Sequence, residues 1–247
     1  MAERCCGEGK RTVKILLLDT TGPVCGAAIC SDGKLIAEKN LVSGRNHSVQ
    51  ALPMIHDLLQ QSGLQLDEID AYASVCGPGS FTGIRIGIST IRAFADAKKK
   101  PCIGLNALEA LVWNALPYDG LVCPLIDARA GQAYTALFSL TNGMRPVRVQ
   151  EDQAVHFAEY LDALQPKGPV LFLGDGVYAL RELIQEKLGK LALFAPEHQM
   201  KLRAGTACML ADDVLRVRKE DPAKHPMMPY YLKASQAERE REAQGNR

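Results

Sequence analysis

Twice along this chain, three short extended segments joined by turns are followed by an alternation of helical and extended stretches. In the first pass, Val13–Thr20 is a largely apolar run rich in Ile and Leu, as expected of a buried strand. Thr21-Gly22-Pro23 makes a turn, Val24–Cys30 returns as a second strand, and Ser31-Asp32-Gly33 is a hairpin signal leading into Lys34–Val42. Connections this short make the three strands antiparallel. The period then changes. Ala51, Leu52, Ile55, Leu58 and Leu59 follow helical spacing between His47 and Ser62, and Gly63 sits where a helix stops. Pro53 predicts a kink, or a start close to it. Ala71–Cys76 reads as a short buried strand broken by Gly77-Pro78-Gly79. Ser80 is placed to cap a helix running to about Lys99, and a strand at Pro101–Leu105 precedes a helix to about Leu116.

The second half repeats the plan. Leu121–Ala128, Gly131–Leu140 and Met144–Val149 read as strands, with Asn142-Gly143 as a hairpin turn. A helix at Phe157–Leu164, a strand at Val170–Leu173, a helix at Val177–Leu188, a strand at Leu191–Ala195 and a helix at Arg203–Arg218 follow. One element order used twice predicts a duplicated lobe, with residues 1–117 in the first, 118–220 in the second and 221–247 as a tail. That order is the ribonuclease-H-like unit, doubled in the actin, Hsp70 and sugar-kinase (ASKHA) superfamily. The expected class is therefore α/β with two such lobes. The pattern also admits a single doubly wound sheet.

Composition narrows the function. Apolar residues make up 47% and charged residues 23% of 247, and the net charge is +1. Nothing in this resembles a chain that grips nucleic acid by itself, so any RNA contact is expected to come through another subunit. The eight cysteines form no C-x-x-C pair, and several lie in apolar runs, as buried reduced thiols do. Met1–Arg11 reads as a polar extension, and the apolar run Ile15–Leu18 is too short for a signal peptide or a membrane span. A cytoplasmic location is expected.

The segment Gly77-Pro78-Gly79-Ser80-Phe81-Thr82-Gly83-Ile84-Arg85-Ile86-Gly87 is the most informative. It lies between a strand and a helix, where phosphate loops often sit. As a dinucleotide fingerprint it fails at Thr82, where the third glycine belongs, and the acid expected at a strand end about 20 residues later is missing. No Gly-Lys-Ser/Thr follows for a P-loop, and Pro78 stands where a nucleophile elbow needs glycine. Gly79, Gly83 and Gly87 instead recur every four residues on one helical face. Interior helix glycines cost about 1 kcal/mol each relative to alanine, so such a face calls for a compensating close contact. Ile84, Ile88, Ile91 and Ala95 form a separate stripe for the lobe's own core. A second face of this kind suggests an interface with another subunit.

This segment resembles the most characteristic stretch of the TsaB (YeaZ) family. Asp19-Thr20-Thr21, His47-Ser48 with Leu52-Pro53, Asp127-Ala128-Arg129 and Tyr231-Leu232-Lys233 with Gln236-Ala237-Glu238 agree with it in order and spacing. The resemblance runs from about Val13 to Glu238. It implies a non-catalytic subunit that pairs with TsaD, the subunit transferring a threonylcarbamoyl group to N6 of the adenosine beside the tRNA anticodon. The ATPase TsaE is implied as a further member, tRNA is met only through the complex, and no membrane is involved. In TsaD a His-x-x-x-His pair holds the metal. The positions that correspond here, Ala107 and Leu111, cannot bind one. The family pairs through its two first-lobe helices. The expected partner surface is therefore Leu52, Ile55, Leu59, Gly79, Phe81, Gly83, Arg85, Gly87 and Thr90, and the same surface is expected to self-pair when TsaD is absent.

Asp19, Thr20, Thr21, Asp127, Arg129, Gly174 and Asp175 stand where actin-like ATPases place their phosphate and adenosine loops. Each is at least as readable as a turn, cap or ion pair. A residual nucleotide site, here or at the subunit boundary, stays open beside the expectation of no cofactor. The competing functional class is an independent actin-like ATPase or small-molecule kinase, which requires both phosphate loops intact and a general base.

Overall fold

The computed structural model describes residues 12–42, 46–140 and 145–233. It contains two five-stranded mixed sheets. The first is built from β1 (Lys14–Asp19), β2 (Val24–Ser31), β3 (Lys34–Val42), β4 (Ala71–Val75) and β5 (Cys102–Leu105), in the order β3-β2-β1-β4-β5. β1 pairs antiparallel with β2, placing Leu17 opposite Ala28, and parallel with β4, placing Leu17 opposite Ala73. The second is built from β6 (Gly120–Asp127), β7 (Gln132–Leu140), β8 (Val147–His156), β9 (Val170–Leu173) and β10 (Ala192–Phe194), in the order β10-β9-β6-β7-β8. The orders are the same, so each lobe is a ribonuclease-H-like unit and the pair is the ASKHA arrangement. A single doubly wound sheet is excluded. The turn at Asn142-Gly143 lies outside the described residues. β8 extends well past the expected Val149 because its polar half, Gln150–His156, is held by pairing with β7 through an irregular register.

Helix ends follow their capping residues. α1 (His47–Ser62) starts where the Asn46 side chain accepts from the Ser48 amide at 3.2 Å, and stops at Gly63 with φ 66°. It begins six residues ahead of Pro53, which sits exposed within it. α2 (Phe81–Lys98) is capped by Ser80, whose hydroxyl accepts from the Gly83 amide at 3.2 Å. α3 (Ala107–Val112) is capped by Asn106 and tightens into a turn at Trp113–Ala115. α4 (Phe157–Leu164), α5 (Gly176–Leu188), α6 (Glu197–Met200) and α7 (Ala204–Asp212) complete the chain, α7 widening into a π-helical turn at Asp213–Val217.

Alternation along β1 sends Ile15 and Leu17 to one face and Leu16 and Leu18 to the other. The Leu16 face packs on Ile55 and Leu58 of α1 and on Ile84, Ile88 and Ile91 of α2, as the stripe spacing predicts. The opposite face is covered by α7, which belongs by chain order to the second half: Ala204, Ala207, Cys208, Ala211 and Val214 pack on Ile15, Leu17 and Ala28. Reciprocally α3, which follows the last strand of the first sheet, packs on β6 and β7 through Leu108, Leu111 and Val112. The two exchanged helices touch between the sheets, and Arg218 joins Asp213 at 2.6 Å to Glu109 at 3.3 Å across them.

Candidate functional site

The end of β1, the Gly-rich turn before α2, the β6–β7 turn and the last described residues converge on a cleft of about 510 Å³ between the lobes. On the first-lobe side the chain is clamped to itself. The Ser80 amide donates to the Thr21 carbonyl at 2.7 Å, and the Thr20 hydroxyl donates to the Gly83 carbonyl at 2.6 Å. A Cβ on Gly83 would lie 1.9 Å from the Thr20 carbonyl oxygen, and one on Gly87 would lie 2.8 Å from Thr20 Oγ1 and 2.9 Å from Ser74 Oγ. One on Gly79 would lie 2.5 Å from the Thr21 carbonyl oxygen.

This corrects the expectation for the glycine face. Gly83 and Gly87 are buried, and the close approach they permit is made by their own chain at Thr20 and Ser74. Ile55, 2% exposed, also belongs to the first-lobe core, and half-buried Leu59 packs against that core. Of the expected partner residues, Leu52 and Arg85 are exposed and Phe81 and Thr90 are half-buried. Exposed Val49, one helical turn before Leu52, extends the apolar surface of α1. The spacing of apolar Val49 three residues before Leu52 carried that signal in the sequence.

The residues matched to nucleotide loops divide in the same way. Thr21, Asp127, Arg129 and Asp175 line the cleft, whereas Asp19, Thr20 and Gly174 are not among its walls. Asp19 is buried and accepts from the Thr21 amide at 2.9 Å and the Thr21 hydroxyl at 2.7 Å. Burial pushes its carboxyl up from the usual carboxylate range, against the opposing pull of the Thr21 bonds and nearby His47. Gly174, at φ 113°, seats the β9–α5 turn where a Cβ would lie 1.9 Å from the Leu125 carbonyl oxygen. Asp175 accepts from the Asp127 amide at 3.2 Å, and the Asp127 carboxylate in turn accepts from the Arg129 amide at 2.8 Å. Burial first, and the neighbouring Asp127 charge as well, raise the Asp175 carboxyl.

The last described residues supply a wall whose position was not readable from the sequence. Phe81 packs against both the Tyr231 ring, centroids 4.3 Å apart, and the Arg85 guanidinium, 4.1 Å from the ring centre. Arg85 Nε donates to the Tyr231 hydroxyl at 3.0 Å. Lys233 reaches the other lobe, donating to the Gln132 side chain and lying 5.6 Å over the Tyr134 ring. Hydroxyls, two carboxylates, cations and aromatic faces thus line the cleft, and no histidine or cysteine is among the described residues lining it.

Ala107 and Leu111, aligned above with the metal-binding pair of TsaD, are 0% and 2% exposed and fill the apolar layer between the sheets. No group of three or more His, Cys, Asp or Glu residues is placed to hold a metal among the described residues. Nor is any described helix long and apolar enough to cross a membrane.

A family model described as TsaD, tRNA N6-adenosine threonylcarbamoyltransferase, matches residues 40–241. The tRNA threonylcarbamoyladenosine biosynthesis protein TsaB of Bacillus subtilis (strain 168) is 33% identical over 225 residues, which is 91% of this chain and 96% of that one. The protein of the same name from Escherichia coli (strain K12) is 39% identical over 126 residues, 50% of this chain and 54% of that one. Among solved structures, YeaZ from Pseudomonas aeruginosa superposes with a TM-score of 0.74 at 25% identity, covering 89% of this chain and 100% of that one.

Proposed function

This chain belongs to the TsaB (YeaZ) family, and from that premise we propose that it serves tRNA threonylcarbamoyladenosine biosynthesis as a non-catalytic subunit paired with the transferase TsaD. The observation that carries the non-catalytic reading is the burial of Ala107 and Leu111. Where the transferase family places metal ligands, this chain has an alkyl layer joining α3 to both sheets. Histidines could not reach solvent or a metal there without dismantling that layer.

The partner surface in this reading is the exposed face of α1 and α2, marked by Val49, Leu52, Phe81, Arg85 and Thr90. Apolar side chains left exposed beside an aromatic and an arginine suit a protein–protein interface. Residues 1–117 carry this surface, 118–220 form the second lobe while lending α7 to the first sheet, and 221–247 follow as the terminal segment. The ATPase TsaE joins the assembly, tRNA is bound by the partners, and the chain works in the cytoplasm. Without TsaD the same face pairs two copies of this chain.

The deciding experiment mixes the purified chain with TsaD, TsaE, the threonylcarbamoyl donor and tRNA. Threonylcarbamoyladenosine is expected only when both this chain and TsaD are present, with no ATP turnover by this chain alone. Sustained ATP hydrolysis by the isolated chain, or undiminished modification without it, would overturn the reading.

A further inference from the structure

Residues 225–233 cross from one lobe to the other along the edge of the cleft, and the chain beneath them is shaped to receive them. The Gly104 amide donates to the His225 carbonyl at 2.9 Å, so the segment docks on β5, the edge strand of the first sheet. A Cβ on Gly104 would lie 2.6 Å from the Pro226 carbonyl oxygen and 3.2 Å from Met227 Cα. One on Gly77 would lie 2.4 Å from the Tyr230 carbonyl oxygen. Two glycines thus leave room for this backbone. Met227 is 3% exposed within the first-lobe core, and the Tyr230 amide donates to the Cys76 carbonyl at 2.8 Å. Beyond it Tyr231 stacks on Phe81, and Lys233 reaches Gln132 and Tyr134 at the start of β7.

We propose that residues 225–233 are a latch that holds the two lobes closed over the cleft. The exchanged helices α3 and α7 already join the lobes, and this segment adds a link beside the cleft. Its base is anchored by backbone hydrogen bonds and a buried methionine. Among the described residues its tip is held by side chains, a ring stack with a hydroxyl bond on the first lobe and Lys233 on the second, with Tyr230 adding a side-chain bond to Asp152 of β8. The tip therefore releases first, and its release widens the cleft without unfolding either sheet. This inference rests on the packing of the segment, shares Phe81 and Arg85 with the proposed TsaD surface, and is tested without TsaD.

Hydrogen exchange of the full chain tests it, using Tyr231→Ala, Gly104→Ala and Lys233→Ala. Losing the stack and its hydroxyl bond is expected to speed exchange by about tenfold at residues 128–134 of the second lobe as well as at 76–82 of the first. Exchange at 170–188, remote from the latch, should stay unchanged. Gly104→Ala, which displaces the base from beneath, should give the same pattern, with a larger radius of gyration in solution scattering. Lys233→Ala touches no core residue and serves if the other two fail to fold. It should raise exchange at 128–134 alone. Faster exchange confined to 225–233, with 128–134 unmoved in every folded variant, would overturn the proposal.

Discussion

Thr20 and Gly83 are fastened to each other from both sides. The Thr20 hydroxyl donates to the Gly83 carbonyl at 2.6 Å, while the Thr20 carbonyl oxygen stands 1.9 Å from where a Gly83 Cβ would be. The start of α2 is thereby pinned to the end of β1, and the rim of the cleft is set by that contact.

Gly83→Ala is expected to destabilise the fold. Overpacking costs about 1–3 kcal/mol, and contact with backbone rather than a mobile side chain puts this position at the upper end. Alanine's better helix propensity returns about 1 kcal/mol, leaving a net loss near ~2 kcal/mol. Gly87→Ala meets two hydroxyls that can rotate aside and should cost less. Urea midpoints of the two variants check the order, and equal midpoints would count against it.

Val49 and Leu52 are 68% and 55% exposed on α1, away from the latch. Replacing both with aspartate should leave stability within about 0.5 kcal/mol per site. The same variant should lose co-purification with TsaD, because a buried, unpaired charge at an interface is costly. Retained binding at full strength would move the partner surface elsewhere.

Asp19 gives a signed pH effect. Its carboxyl is raised by burial in the folded state, so between the ordinary aspartate value and the raised one the native state holds the extra proton. Stability from this group therefore falls as pH rises through that window, and the charged form's cost is fully present above it. Asp175, also raised by burial, acts with the same sign. Unfolding free energies of the Asp19→Asn variant, followed from acid to neutral pH, should fall less steeply than those of the parent chain.

The thiols should react in the order of their exposure. Burial pushes Cys25 up to about 11 and Cys76 and Cys123 up to about 12. Cys102 is the one described cysteine that is only partly buried, and its thiol is raised by the same cause. Brief native alkylation followed by peptide mass mapping should mark Cys102 ahead of the five buried thiols, Cys30 and Cys208 included. Early labelling of Cys123 would contradict the packing of the second lobe.

The sequence made the local part of this legible. Residue period alone placed Phe157–Leu164 and Val170–Leu173 on the observed boundaries, since each is an uninterrupted apolar pattern with clear ends. The stripe at Gly79, Gly83 and Gly87 announced a close approach, but spacing cannot say what approaches. The answer was Thr20, 63 residues away. Asp19-Thr20-Thr21 was correctly placed at the end of the first strand. Asp19 bonds Thr21 in a local Asx turn, but the inward turn of Thr20 depends on its bond to Gly83, which no local pattern encodes. The docking of Tyr231 on Phe81 is equally non-local, and its one trace in the sequence is a pair of glycines, Gly77 and Gly104, that local rules read as turn and strand residues.

The exchange of α3 and α7 sets a timetable for biosynthesis. Chain leaves the ribosome from its first residue onward, so β1, β2, β4 and β5 emerge long before the helix that covers their inner face. Ile15, Leu17, Ala28 and Ile103 stay uncovered until Ala204–Val214 has been made. A nascent first lobe is thus a sheet with one greasy side, open to wrong pairing or chaperone capture until α7 has been made.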